Sequence, residues 1–226
     1  MAKFQENAVP AANQNQQNVF LHPNTGIKVM FVGNSITKHA PKPDIGWTND
    51  CGMAATELEK DYVHLMLSKI RKYDPNVSWC ISQAADLECR FTDENVLEAY
   101  KEAEDFEPDI MIFFFGANVN KRYADAPDGS FGEVYRKFRL FLDKPLKAKV
   151  FHSEGFYIRP LLDKEKWESV KDLGDTLIPL DDIRTRDDAH GKFNHPGDLG
   201  MSLIAERFWE YVEPAVKELS VEIKTK

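Results

Sequence analysis

A short apolar run that ends in a glycine turn constrains this chain more than any other feature. The run covers residues 27–33 (IKVMFVG) and leads directly into Asn34, Ser35 and Ile36. An apolar stretch rich in β-branched residues indicates a buried strand, and glycine marks the turn that ends it. In open α/β sheets ligands bind at the carboxyl ends of the strands. The hydroxyl of Ser35 is therefore a candidate nucleophile.

Four further apolar runs alternate with amphipathic patterns along the chain. Strands are predicted at residues 77–82, 109–115, 148–152 and 176–180, and helices at 54–72, 93–104, 130–142, 164–173 and 197–219. This alternation is typical of right-handed βαβ units. It predicts an α/β fold, a three-layer α/β/α sandwich with about five parallel strands in the order 2-1-3-4-5. Residues 1–19 are polar and amide-rich and are predicted to form a disordered or surface-lying tail, which leaves 20–226 as a single domain.

Composition excludes several classes of partner. The 226 residues carry a net charge of -8, which disfavours nucleic acid and anionic membranes because both need clustered Lys and Arg. No run reaches the roughly 20 apolar residues of a membrane-spanning helix, and the first residues do not resemble a signal peptide. The three cysteines are an odd number without CxxC spacing, so neither a disulfide framework nor a zinc site is predicted. We expect no metal and no cofactor, and we leave localisation and oligomeric state open.

Polar side chains follow several of the predicted strands. Ser35 follows the first, the turn at residues 83–86 the second and Asn118 the third, while His195 precedes the last helix. Acyl transfer needs a nucleophile, a base and fixed donors for the oxyanion. We therefore predict Ser35 as nucleophile and His195 as base. The predicted donors are the Ser35 N–H, a backbone N–H near Ala85 and the Asn118 amide.

These segments resemble conserved blocks of a known family. Residues 33–37 (GNSIT) are similar to the first block of the SGNH hydrolases, or GDSL-type esterases, although Asn34 stands where many members have Asp. Residues 116–118 (GAN) resemble the third block, and the segment from His195 to Gly200 resembles the last. The matches follow the family order over residues 27–218. The GNSIT opening and the HPGDLGM close are similar to a bacterial subgroup of carbohydrate esterases or acetylhydrolases.

The resemblance implies a flavodoxin-like fold and a metal-free serine esterase. It implies that the substrate is a small acyl ester of a carbohydrate, with acetyl as the expected acyl group. By the same resemblance Ser35 is the nucleophile, His195 the base and Asn118 an oxyanion donor. Asn34 and Trp47 are predicted substrate contacts. An alternative role for Trp47 is to hold the long loop that carries it, residues 38–50, against the core. A non-catalytic carbohydrate-binding protein and an acyltransferase using the same serine remain alternative functions.

Two positions depart from the family pattern. Ala85 stands where the second block has glycine, which leaves its backbone N–H able to donate if the backbone angles allow it. Lys192 stands where the family has the aspartate that orients the histidine, three residues before it. A lysine cannot accept the imidazole N–H, so the third catalytic group must come from elsewhere.

Three sources for that group are open. Asp187 or Asp188 could fold back from the loop, Glu154 could approach from the end of the fourth strand, or a backbone carbonyl could orient His195 and leave a dyad. Glu88 and Arg90 lie just beyond the second strand, and we interpret them as a local ion pair, with contact to the substrate as the alternative.

Overall fold

The computed structural model describes residues 17–224. Within them, six strands form one sheet in the order β1-β3-β2-β4-β5-β6. The strands are β1 (Val19–His22), β2 (Lys28–Gly33), β3 (Ser78–Gln83), β4 (Ile110–Phe114), β5 (Lys149–Ser153) and β6 (Thr176–Ile178). The strands β2 to β6 are parallel and β1 is antiparallel to β3. The predicted α/β class and the order 2-1-3-4-5 of the five parallel strands are confirmed.

The edge strand β1 was not predicted. It begins at Val19, within the segment predicted as a tail, and it pairs with β3 from Val19 opposite Ser82 to His22 opposite Trp79. A four-residue strand is too short to show a periodic pattern, and its stability comes from the neighbouring strand. Residues 1–16 of the predicted tail lie outside the described part of the chain.

Helices cover both faces of the sheet. They are α1 (Tyr62–Ile70), α2 (Ala85–Arg90), α3 (Lys101–Glu104), α4 (Lys121–Ala124), α5 (Ser130–Leu142), α6 (Pro160–Val170), α7 (Asp181–Arg184) and α8 (Asp198–Lys224). Residues of α1, α7 and α8 share one core cluster, and residues of α2 to α6 share the other. In residues 17–224 no helix is both long and apolar enough to cross a membrane.

The position of β2 between two layers of helices explains why its sequence is apolar on both faces. Val29 and Phe31 pack into the α1 and α8 cluster, whereas Met30 and Val32 pack into the α5 and α6 cluster. All four side chains are fully buried. Successive side chains of a strand point to opposite faces, so a strand covered by two helical layers needs no polar position.

The predicted helix at residues 54–72 is shorter than expected. Its regular part begins at Tyr62, because the carboxylate of Asp61 accepts the His64 N–H at 2.8 Å and caps the helix there. Ala54 has a φ of 79°, which no helix accommodates. Between them the chain forms a loop and a short 3₁₀ helix, Leu58–Lys60.

Candidate active site

A tight turn after β2 presents Ser35. The N–H groups of Thr37 and Lys38 both donate to the Asn34 carbonyl, at 2.9 and 3.0 Å. Gly33 permits this fold because a Cβ there would lie 1.7 Å from Thr37 Oγ1. Ser35 thus sits at the carboxyl end of the central strand, as the sequence predicted.

The imidazole of His195 lies against this serine. Ser35 Oγ is 2.8 Å from His195 Nε2, although the two residues are 160 positions apart in the chain. The loop that carries the histidine is closed on itself, since the Gly191 N–H donates to the His195 carbonyl at 2.6 Å and the His195 N–H to Lys192 at 3.1 Å. A hydroxyl and an imidazole at this distance can exchange a proton.

The other imidazole nitrogen faces a backbone carbonyl. His195 Nδ1 lies 2.9 Å from the Phe193 carbonyl oxygen and 3.2 Å from Tyr157 Oη. A carbonyl can only accept, so the contact requires the proton on Nδ1 and leaves Nε2 free to accept from Ser35. The carbonyl is aimed this way because Phe193 and Asn194 both adopt left-handed backbone angles, with φ of 59° and 57°. Two consecutive non-glycine residues in this region are uncommon.

None of the predicted carboxylates reaches His195. Glu154 accepts the Leu180 N–H at 2.7 Å, Asp188 forms an exposed ion pair with Arg186, and the side chain of Asp187 is exposed to solvent. Across residues 17–224 no hydrogen bond joins His195 to a carboxylate. Of the three open sources for the third group, the carbonyl is the one the structure brings to the imidazole.

Burial sets the protonation of the imidazole. It lowers the pKa of His195 below the ordinary value of 6.5; the hydrogen bond to Phe193 opposes this shift, and the nearby charge of His39 adds to it. Burial also raises the pKa of Tyr157 to about 12. At neutral pH the imidazole is therefore neutral and can accept a proton, and the Tyr157 hydroxyl keeps its own.

The three predicted oxyanion donors differ in their surroundings. The Ser35 N–H donates to no acceptor within the described residues. The Asn118 side chain is half-buried, and its Nδ2 donates to Glu88 Oε2 at 2.5 Å, the carboxylate that also accepts from Asn34. The Ala85 N–H donates to Gln83 Oε1 at 2.7 Å, so it can meet an oxyanion only if the Gln83 side chain moves. Ala85 as a donor stays a prediction.

Both residues predicted to contact the substrate are buried in this structure, and their contact with a substrate stays a prediction. Trp47 is 4% exposed, and its indole N–H donates to the His39 carbonyl, so it holds its loop against the core as the alternative reading proposed. Asn34 is 1% exposed; its Oδ1 accepts the Ile36 N–H at 3.1 Å and its Nδ2 donates to Glu88. A bulky apolar ring and a carboxamide with both ends bonded are more stable inside the protein than at a solvent-filled site.

Sequence reasoning also misjudged Glu88 and missed Tyr157. Glu88 does not pair with Arg90, which instead contacts Asp86 and Asp93; Glu88 is fully buried among the asparagines of the site. A signal was available for Tyr157, since it follows Glu154 and Gly155 at the carboxyl end of the fourth predicted strand. For Glu88 the helical position of α2 was not recognised, because six residues are too few to show a period.

Among residues 17–224, no three His, Cys, Asp or Glu side chains come close enough together to hold a metal ion. The contacts described above bring a hydroxyl and an imidazole together at this edge.

Comparison with solved structures identifies the fold. No protein-family model matches the sequence, and no curated protein is significantly similar to it. A GDSL-like lipase from Bacteroides uniformis matches with 16% identity over 84% of this chain and 96% of its own, with a TM-score of 0.57. An acetyl xylan esterase, AlAXEase, matches with 18% identity over 82% of this chain and 100% of its own, at 0.55. A family 3 carbohydrate esterase from Clostridium thermocellum matches with 13% identity over 87% and 100%, at 0.58. The chain therefore shares the α/β fold of these lipase and carbohydrate-esterase structures.

Proposed function

We propose that this protein is a serine esterase that removes a small acyl group, most simply acetyl, from an alcohol of a carbohydrate. One observation carries the proposal: Ser35 Oγ lies 2.8 Å from His195 Nε2 while the Phe193 carbonyl holds the opposite nitrogen. The names of the similar structures, which include an acetyl xylan esterase, support the acyl group and the carbohydrate.

The reaction follows from these contacts. His195 Nε2 takes the hydroxyl proton as Ser35 Oγ attacks the ester carbonyl carbon, and the carbonyl oxygen becomes an oxyanion. The Ser35 N–H and the Asn118 amide donate to that oxygen. Collapse of the intermediate expels the alcohol, which receives the proton from His195 and leaves the acyl group on Ser35. Water then repeats the two steps, releasing the carboxylic acid and the free serine.

A dyad can perform this chemistry without a carboxylate. During attack the imidazole becomes an imidazolium, and its Nδ1–H remains bonded to the Phe193 carbonyl, whose dipole points its negative end at the charge. The carbonyl also excludes the unproductive tautomer. Each oxyanion donor adds about 2.7–4 kcal/mol of transition-state stabilisation in sites of this kind.

The first experiment removes the nucleophile. Ser35→Ala should abolish hydrolysis of p-nitrophenyl acetate without loss of folding. The matched control is Ser82→Ala, since the Ser82 hydroxyl is buried in β3 with no hydrogen-bond partner in the described structure. The control should hydrolyse the ester at the wild-type rate, and wild-type turnover by the Ser35 variant would refute the mechanism.

A covalent probe separates the alternative functions. An alkyl fluorophosphonate should label the wild-type protein at Ser35 and leave Ser35→Ala unlabelled. Absence of labelling at neutral pH would favour a carbohydrate-binding protein. Transfer of the acetyl group to an added sugar, instead of release as acetate, would favour an acyltransferase.

The substrate class is tested by acetate release from a polysaccharide and by turnover of esters of different chain length. Acetylated xylan should yield free acetate, and turnover of p-nitrophenyl esters should fall from acetate to butyrate to octanoate. Preference for the long chain, or no acetate from any acetylated polysaccharide, would refute the assignment to carbohydrate acetyl esters while leaving the esterase mechanism intact.

A further inference from the structure

A buried carboxylate lies behind the candidate site. Glu88 on α2 is 0% exposed. Its Oε1 accepts Asn34 Nδ2–H at 2.9 Å and also the Gly116 N–H, and its Oε2 accepts Asn118 Nδ2–H at 2.5 Å. Within residues 17–224 no ion pair joins Glu88 to a basic side chain. Charged residues are almost never fully buried without a paired cation, so this arrangement needs a reason.

The partners of Glu88 explain how the charge is held. The Asn118 backbone N–H also donates to Glu88. All four groups are N–H donors, and a carboxylate is the side chain that offers two oxygens with acceptor sites only. Burial raises the pKa of Glu88, and the hydrogen bonds from Asn34 and Asn118 oppose that rise. Protonation would place an O–H donor on one oxygen of Glu88, facing an N–H group that is itself a donor. The cluster is therefore complete only with the ionised carboxylate.

Each contact also fixes the orientation of a carboxamide. Because Asn34 Nδ2 donates to Glu88, its Oδ1 is turned toward the Ile36 N–H in the turn that carries Ser35. Because one N–H of Asn118 donates to Glu88, the plane of that amide is set, and with it the direction of its second N–H. The same carboxylate holds the Gly116 N–H where β4 leaves the sheet, and Gly116 has a φ of 134° that only glycine adopts readily.

We propose that Glu88 is a positioning residue that orients the Asn118 amide toward the acyl oxygen and braces the turn of Ser35. This role rests on the proposed esterase function. It also explains the departure at Asn34: an aspartate there would put a second carboxylate against Glu88, whereas asparagine donates to it.

The test is a double-mutant cycle in kcat. Glu88→Gln keeps the size of the side chain but replaces one acceptor oxygen by an NH₂ group. It should lower kcat for p-nitrophenyl acetate about 10- to 100-fold with little change in KM, since removal of an oxyanion donor costs about 10²–10³ in kcat. Asn118→Ala should cost as much or more. In the double variant the combined loss should be clearly smaller than the product of the two single losses, because Glu88 acts in large part through Asn118.

The matched control is Asp74→Asn. Asp74 is a buried carboxylate at the opposite end of β2 that accepts the N–H groups of Ile27 at 2.6 Å and Asn76 at 2.9 Å. Its loss should reduce stability and leave kcat unchanged. Wild-type kcat for Glu88→Gln, or losses that multiply with Asn118→Ala, would overturn the proposal.

Two further measurements remain informative if Glu88→Gln does not fold. Glu88→Asp keeps the charge but withdraws it by one methylene, so it should lower kcat as well; a folded variant with wild-type kcat would overturn the role. In the wild-type protein, one Asn118 Nδ2 proton should resonate well downfield of ordinary side-chain amides, and an ordinary position would also overturn it. If the wild-type protein hydrolyses no ester, the proposed function fails instead, and the amide spectrum still reports on Glu88.

Discussion

Replacing Tyr157 by phenylalanine tests which group orients the imidazole of His195. The Tyr157 hydroxyl and the Phe193 carbonyl both approach His195 Nδ1, at 3.2 and 2.9 Å. The shorter contact is to the group that can only accept, so the carbonyl fixes the tautomer and the hydroxyl adds a second, longer interaction. Tyr157→Phe removes that second interaction alone.

The expected loss follows from the worth of one neutral hydrogen bond. Such a bond contributes about 0.5–1.5 kcal/mol net. Since about 1.4 kcal/mol corresponds to a tenfold change in rate, kcat should fall about two- to tenfold. If Tyr157 were itself the orienter, its removal would free the wrong tautomer, for which losses of about 10⁴ in kcat are typical.

The assay is kcat and KM for p-nitrophenyl acetate at pH 7 to 8, where the raised pKa of Tyr157, about 12, keeps the hydroxyl protonated. Tyr73→Phe is the control, because the Tyr73 hydroxyl donates to Glu213 at 2.7 Å and makes no contact with the site. A loss above about 10³ would refute the carbonyl as orienter. A clear increase in kcat would refute it too, since it would mean that Tyr157 donates to Nδ1 and favours the unproductive tautomer.

Two further predictions concern pH and stability. Burial lowers the pKa of His195 below 6.5, so the imidazole gains its proton only at a lower pH. The acid limb of the pH profile of kcat/KM should therefore have its midpoint below pH 6.5. A midpoint above that value would contradict the assignment of His195 as base. Arg139→Met should cost about 3–5 kcal/mol in chemical denaturation, since it leaves two buried carboxylates, Asp143 and Asp175, without their cation. Burial alone would raise the pKa of Asp175, but hydrogen bonds from Arg139 and His152 hold it below its ordinary value. The contribution of Asp175 to stability is therefore present at neutral pH and is lost as the pH falls through its folded-state pKa. This pH-dependent contribution should be smaller in the variant, which keeps only the His152 contact. A loss under about 1 kcal/mol would mean that this network behaves like an exposed ion pair.

Much of the architecture could be predicted from local sequence. Apolar runs that end in glycine turns identify parallel strands, because a strand buried between two helical layers must be apolar on both faces. Ser35, Asn118 and His195 were predicted at one edge for the same reason, since parallel strands end together. The edge strand β1 escaped prediction because a short strand is stabilised by its neighbour and not by a pattern of its own.

Local sequence patterns predicted the five parallel strands and the edge at which the polar groups meet, and the strand order was predicted from the common arrangements of such sheets. Tertiary structure alone decided which atoms touch there. Lys192 removes the usual acid, but only the left-handed backbone at Phe193 shows that a carbonyl takes its place. Likewise the burial of Trp47 and the contacts of Glu88 depend on packing between segments far apart in the chain. Strand formation follows from local periodicity, whereas hydrogen-bond partners depend on loop paths and side-chain rotations that no local pattern encodes.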